Sequence, residues 1–335
     1  MSDVVTPTGD GVDPSTLFDA IRSETNRVLV GSDDQLEYLT IALLIRGHVL
    51  IEGVPGVAKT TMATLFARAS GMESTRIQLT PDLLPADLTG TQIYREATGE
   101  FELRRGPIFS NLVVADEINR ATPKTQSALL EAMGERHVTI DGETLSLPSP
   151  FMVVATQNPI EMEGVFALPE AQRDRFTFKL TVDLPARDDE RAILDRFESD
   201  PTLGPESVDP VVFPAAIRVA RKSVASVHVS DPIREYVLDL VAASRDHPDV
   251  AHGASPRATL AFVEGAKARA ALYGRGYVIP DDVKALAQPI LVHRLVLATD
   301  ATLSSTSRED VVEDIVTDVQ PPGADPDELS GPAPH

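Results

Sequence analysis

Apolar positions in the first half of the chain fall into short continuous runs, separated by stretches with helical spacing. Five runs read as core strands, at residues 48–52, 76–79, 111–115, 151–156 and 177–182. They are brief and largely β-branched, as strands covered on both faces should be. Strands alternating with helices predict an α/β fold built on a five-stranded parallel sheet, spanning residues 15–184. Two hairpins interrupt this order. One pairs residues 91–96 with 100–105; the other pairs 137–140 with 143–147 around Asp141-Gly142, a dipeptide suited to the positive φ angles of a type I′ turn.

Beyond residue 184 the strand signal fades. Residues 188–197, 213–226, 232–245, 256–273 and 280–293 carry amphipathic helical spacing, and a short last helix is expected near 310–319. This predicts a small all-α lid over residues 185–319. Residues 1–14 and 320–335, rich in Asp, Gly and Pro, are expected to be a disordered arm and tail.

Composition narrows the chemistry. The chain has 335 residues and no cysteine, which excludes disulfides, thiolate metal sites and Cys nucleophiles. Its seven histidines show no paired ligand spacing. No apolar run approaches the roughly 18 residues that span a bilayer, and the first residues lack the layout of a signal peptide. A soluble cytoplasmic protein with no membrane insertion is expected. Net charge is −21, which argues against nonspecific nucleic-acid binding. Only six of the thirty basic residues are Lys, and acid-rich, Lys-poor composition also resembles proteins of salt-loving cytoplasms. The acidity therefore reports either the solvent or a partner. On the halophilic reading, self-repulsion should destabilise the fold in dilute buffer, where the Debye length grows to roughly 30 Å. The melting temperature is then expected to rise between dilute and molar KCl; an unchanged value contradicts that reading.

Three motifs carry chemistry. The strongest is Gly53-Val54-Pro55-Gly56-Val57-Ala58-Lys59-Thr60-Thr61, placed between a strand and a helix. Small residues let backbone N–H groups line a concave loop, and the following helix turns its positive end to a phosphate. In such a loop Lys59 reaches the β- and γ-phosphates of ATP, and the Thr60 hydroxyl ligates Mg²⁺. The pattern asks for glycine where Ala58 stands, and alanine is tolerable there only with an ordinary helical φ. The second motif is an apolar strand ending in Asp116-Glu117. It puts two carboxylates at the edge of the sheet where α/β folds bind ligands. Asp116 suits direct or water-mediated Mg²⁺ coordination, and Glu117 suits polarising the attacking water. The third strand ends in Thr156-Gln157-Asn158-Pro159, which places Asn158 where it can hold that water, although Asn-Pro is also a common turn.

The series GVPGVAKT, VVADEINRATPKTQSALLEAM, VVATQNPIE, LPEAQRDRF and GASPRATL, in this order, resembles the MoxR family of AAA+ ATPases over most of residues 15–320. Members commonly carry Ala at the position of Ala58. The resemblance implies that Lys59 and Thr60 are the Walker A pair, Asp116 and Glu117 the Walker B pair, and Asn158 sensor 1. It further implies that Arg257 is sensor 2 and that Arg175 is an arginine finger supplied to a neighbouring subunit, with Arg173 nearby as a rival. Val30-Gly31 resembles the segment that packs on adenine. The hairpins resemble inserts of the clade that includes magnesium chelatases. The implied protein is a ring, expected to be a hexamer, with its ATP site between core and lid. It would remodel or mature partner proteins, often ones with a von Willebrand factor A domain. A nucleic-acid motor and a nucleotide-gated scaffold with little turnover stay open as alternatives.

Overall fold

All five expected strands are present and join in one parallel sheet. The computed structural model describes residue 5 and residues 12–97, 99–159 and 164–323. Helices α1 (Pro14–Thr25) and α2 (Asp33–Leu44) lead into β1 (Val49–Gly53), α3 (Lys59–Ala69), β2 (Ser74–Gln78) and the short α4 (Pro85–Thr89). The first hairpin, β3 (Gly90–Arg95) and β4 (Glu100–Arg105), precedes β5 (Leu112–Asp116) and α5 (Pro123–Glu135). The second, β6 (His137–Ile140) and β7 (Glu143–Ser146), precedes β8 (Met152–Gln157), α6 (Glu170–Arg173) and β9 (Phe178–Val182). The helical region then runs α7 (Arg187–Ser199), α8 (Pro214–Ala225), α9 (Asp231–Asp246), β10 (Val250–His252), α10 (Pro256–Leu272), α11 (Pro280–Leu291), β11 (Val296–Leu297), α12 (Thr299–Leu303) and α13 (Arg308–Asp318).

The strand order is β2-β5-β8-β1-β9, with every neighbouring pair parallel. All five C-terminal ends therefore share one edge of the sheet, and all five N-terminal ends share the other. The strand expected at 76–79 begins earlier, at Ser74, which pairs with Leu112. As an edge strand β2 keeps polar residues at its start, so an apolar run marks only part of it. In the second hairpin Asp141 and Gly142 both have positive φ, 48° and 88°, as the type I′ turn requires. Most of the expected arm and tail lies outside the described residues. Val12, however, is buried, and the Val5 N–H donates to the Val211 carbonyl at 2.8 Å.

Apolar side chains cover both faces of the sheet. One face packs against α1, α2, α3 and the helical region through residues such as Phe66, Val154 and Phe262. The other packs against α5 and the second hairpin through Leu129, Val153 and Phe176. Tyr38 of α2 bonds to the Ala285 carbonyl at 2.9 Å, and Arg269 of α10 pairs with Glu37 at 2.8 Å, so the helical region is tied to the core by polar as well as apolar contacts.

His48, just before β1, is fully enclosed. Its Nδ1 accepts the Val153 N–H at 2.9 Å, so the proton sits on Nε2, which donates to the Met133 carbonyl at 3.1 Å. Burial pushes its pKa down to about 4. Below the ordinary value near 6.5 the unfolded chain takes up a proton that the folded chain refuses. Stability is thus intact at neutral pH and lost as pH falls from roughly 6.5 towards 4, by about 3 kcal/mol from this group. Denaturant unfolding at pH 7 and pH 4.5 is expected to show the loss, and His48→Gln is expected to reduce it. An identical loss in the variant contradicts the assignment.

Candidate functional site

The loop after β1 turns back on itself before α3. Gly56 and Ala58 both lie in left-handed conformation, with φ of 90° and 58°. The expectation of an ordinary φ at Ala58 is therefore corrected: alanine is held where glycine would sit without strain, at a cost on the order of 1–2 kcal/mol. The Ala58 carbonyl accepts the Met62 N–H at 2.8 Å, so this residue opens the α3 ladder. The Lys59 ammonium folds onto the loop, donating to the Gly53 carbonyl and, at 2.8 Å, to that of Val54. Burial pushes its pKa down while Asp116 and Glu117 pull it back up.

Asp116, at the end of β5, is almost fully buried and is held from three sides. Thr60 Oγ1 donates to its Oδ1 at 2.8 Å, Thr156 Oγ1 donates to the same oxygen at 3.1 Å, and Arg76 Nε lies 2.6 Å from Oδ2. Thr156 also accepts the Glu117 N–H at 3.0 Å, fixing a residue whose φ is 58°. The Glu117 carboxylate pairs with Arg120 at 3.1 Å. These groups surround a cavity of about 460 Å³ that also takes in Gln157 and Asn158. Loop, carboxylates and Asn158 thus converge on the C-terminal edge of the sheet.

Arg76 and Thr156 were not singled out in the sequence. The register of β5 against β8 pairs Ala115 with Ala155, so Asp116 and Thr156 follow side by side. Aligning the two apolar runs would have exposed that neighbour. Arg76 gives no such signal, because a cation in an edge strand reads as a solvated side chain.

The cavity around the loop and the acidic pair is lined by core residues. Past α7 the helical region docks elsewhere. Arg294, after α11, pairs with Asp174 at 2.8 Å and donates to the Phe176 carbonyl at 2.7 Å, both ahead of β9. That anchors it at the N-terminal edge of the sheet. Arg257 follows it there. Ser255 caps α10, accepting the Arg257 N–H at 3.2 Å and donating to Asp174 at 3.0 Å, while the Arg257 guanidinium lies 3.7 Å from the same carboxylate. Arg175 and Arg257 line one second cavity of about 360 Å³, together with Arg46 and Arg136. Its lining sets five arginines, Arg294 being the fifth, against Glu135, Asp174 and Glu264, so the cavity is electropositive on balance. The Arg173 side chain lies outside it. A five-residue strand separates the two edges by about 15 Å, so neither Arg175 nor Arg257 reaches the phosphate loop of its own chain.

Val30 and Gly31 do not line the first cavity. A Cβ on Gly31 would sit 2.8 Å from the Asp189 carboxylate at the start of α7. A Cβ on Gly53 would sit 2.3 Å from the Val182 carbonyl at the end of β9, so the chain running from β9 to α7 links the two segments along the loop's edge of the sheet.

Residues 48–178 match the sequence family of ATPases associated with various cellular activities (AAA), and residues 242–315 match the AAA lid domain. The fold and the phosphate-loop cavity thus belong to an AAA-type ATPase. A solved structure from Cytophaga hutchinsonii, provisionally described as an ATPase, superposes with a TM-score of 0.85 at 38% identity, covering 92% of this chain and 95% of that one. Chaperone MoxR1 of Mycobacterium tuberculosis is 46% identical over 89% of this chain and 81% of its own length. An uncharacterized Bacillus subtilis protein, YeaC, is 47% identical over 89% and 92%, and the MoxR protein of Paracoccus denitrificans 34% over 82% and 86%. The chain belongs to the MoxR family of AAA+ ATPases. Among the described residues no helix is long and apolar enough to cross a membrane.

Proposed function

We propose that this ATPase hydrolyses Mg²⁺-ATP at sites shared between protomers of a ring, and that turnover drives chaperone-like remodelling of partner proteins. The observation that carries the reading is the separation of the loop and acidic pair from Arg175 and Arg257 on opposite edges of one sheet. A closed ring brings the arginine edge of one protomer to the loop edge of the next.

Lys59 would leave the loop carbonyls for the β- and γ-phosphates, and loop N–H groups would receive the phosphate oxygens. Glu117 would take the proton of the attacking water, and Asn158 would orient that water. Val30 and Gly31 would flank the adenine. No group of three or more His, Asp or Glu side chains able to hold a metal occurs among the described residues. Thr60 and Asp116, already in contact, fit a cation that takes most of its oxygens from nucleotide and water, as Mg²⁺ does. When bound, Mg²⁺ supplies neutralisation of phosphate charge.

The first hairpin favours a protein client over nucleic acid. It exposes Ile93, Tyr94 and Phe101, the two rings 5.3 Å apart; Arg95 is tied to Glu102, Arg105 lies over the Phe109 ring, and Glu96 and Glu100 offset the charge that Arg104 adds. Protein recognition relies on such aromatic anchors, whereas nucleic-acid binding needs unpaired positive charge. One client class is a partner with a von Willebrand factor A domain, and a cytoplasmic setting suits the chemistry. Light scattering with a non-hydrolysable ATP analogue is expected to give a mass near six times the 36.0 kDa of one chain. DNA is expected to leave turnover unchanged. A monomer that hydrolyses ATP at full rate, or strong stimulation by DNA, would count against the reading.

A further inference from the structure

Gly134 lies in the last turn of α5, and its backbone is ordinary right-handed helix, outside the set of positive-φ residues. Nothing in its own conformation calls for glycine, the poorest helix former after proline. What it does allow is a close approach. A Cβ built on Gly134 would lie 2.9 Å from Arg175 Nη1 and 3.7 Å from its Cζ. Apart from its chain neighbours and its own helix, no other atom among the described residues comes within 4 Å of that position. Arg175 uses the space to donate from Nη1 to the Leu130 carbonyl at 2.5 Å, one turn back along α5. Among the described residues the guanidinium makes no further hydrogen bond or ion pair.

We propose that Gly134 is a positioning residue for Arg175. The absent side chain is a seat in which one guanidinium nitrogen is anchored on α5, leaving the others for an incoming phosphoryl group. An arginine fork fixed at one corner has fewer orientations to lose when it meets an anion. This rests on Arg175 serving a neighbouring subunit's ATP. Filling the seat moves the end of a flexible side chain, so the fold tolerates the change and the misplacement falls on Arg175. A misplacement near 1 Å is able to cost up to about 10²-fold in rate.

The test is a double-mutant cycle on the full chain with Gly134→Ala, Arg175→Ala and the double variant, reading ATP turnover, nucleotide affinity and melting temperature. Gly134→Ala is expected to melt at or above the wild-type temperature, bind ATP equally well and turn over roughly tenfold or more slowly. In the Arg175→Ala background it is expected to change nothing further. Mixing Gly134→Ala with Lys59→Ala protomers is expected to restore turnover, which loss of fold would not permit. Unchanged or faster turnover in Gly134→Ala overturns the proposal, as does a lowered melting temperature or an additive loss in the double variant. Full turnover in Arg175→Ala overturns the underlying role of Arg175 and the proposal with it, whereas a slow Arg175→Ala beside a fully active Gly134→Ala overturns the seat alone.

Discussion

Lys59→Ala is expected to bind ATP about two orders of magnitude more weakly than the parent, because hydrogen bonds to charged groups are each worth about 1.5–3 kcal/mol. Glu117→Gln is expected to bind ATP with parental affinity and to lose turnover by roughly 10²- to 10⁴-fold, the usual contribution of a positioned general base. The two residues are neighbours in one cavity, yet they are built in differently. The Lys59 ammonium rests on carbonyls of the very loop proposed to receive phosphate. The Glu117 backbone is fixed by Thr156, so an amide side chain of the same shape leaves the loop and Asp116 untouched. Calorimetric titration with nucleotide, paired with phosphate release, separates the two outcomes. Equal loss of binding in both variants would remove the role given to Glu117.

Much of this site is legible in the sequence because its parts are local. A strand, a glycine-rich loop and a helix follow one another within residues 49–69, and a buried strand ending in Asp116-Glu117 announces its own edge. The backbone state of Ala58 is not local in this sense: a left-handed alanine is imposed by how the loop must return to α3, and its residue type points the other way. The position of Arg257 is also not local. Ser255 and Pro256 foretell the start of α10, but where that helix docks depends on Arg294 reaching Asp174 across 120 residues of chain. Pattern along the chain therefore yields the elements and one edge of the sheet, while the second cavity emerges only from packing. The same distinction explains Gly134, whose partner Arg175 lies 41 residues further on and gives no sign at the helix itself.

Arg175→Ala is expected to keep nucleotide affinity and lose turnover by about 10³- to 10⁵-fold, the range by which arginine fingers accelerate phosphoryl transfer. Affinity persists because the loop, Lys59, Thr60 and Asp116 are on the far edge of the sheet and make no contact with Arg175. Arg173→Ala is expected to stay near parental turnover, since that side chain does not line the second cavity. Burial, followed by the Arg308 charge, lowers the Arg173 pKa, while Glu170 and Glu52 raise it, and none of those three residues lines that cavity. Loss of turnover confined to Arg173→Ala would reverse the assignment.

A shared site makes a stronger demand than any single variant. Lys59→Ala protomers keep an intact arginine edge, and Arg175→Ala protomers keep an intact phosphate loop; each alone is expected to turn over poorly. The deciding measurement is ATP turnover as the two are mixed at fixed total concentration, with light scattering to show that mixed assemblies form. The predicted result is a recovery of turnover that peaks at intermediate ratios, where a sound loop meets a sound arginine. Mixed assemblies that form and remain inactive at every ratio would contradict catalysis across the protomer boundary.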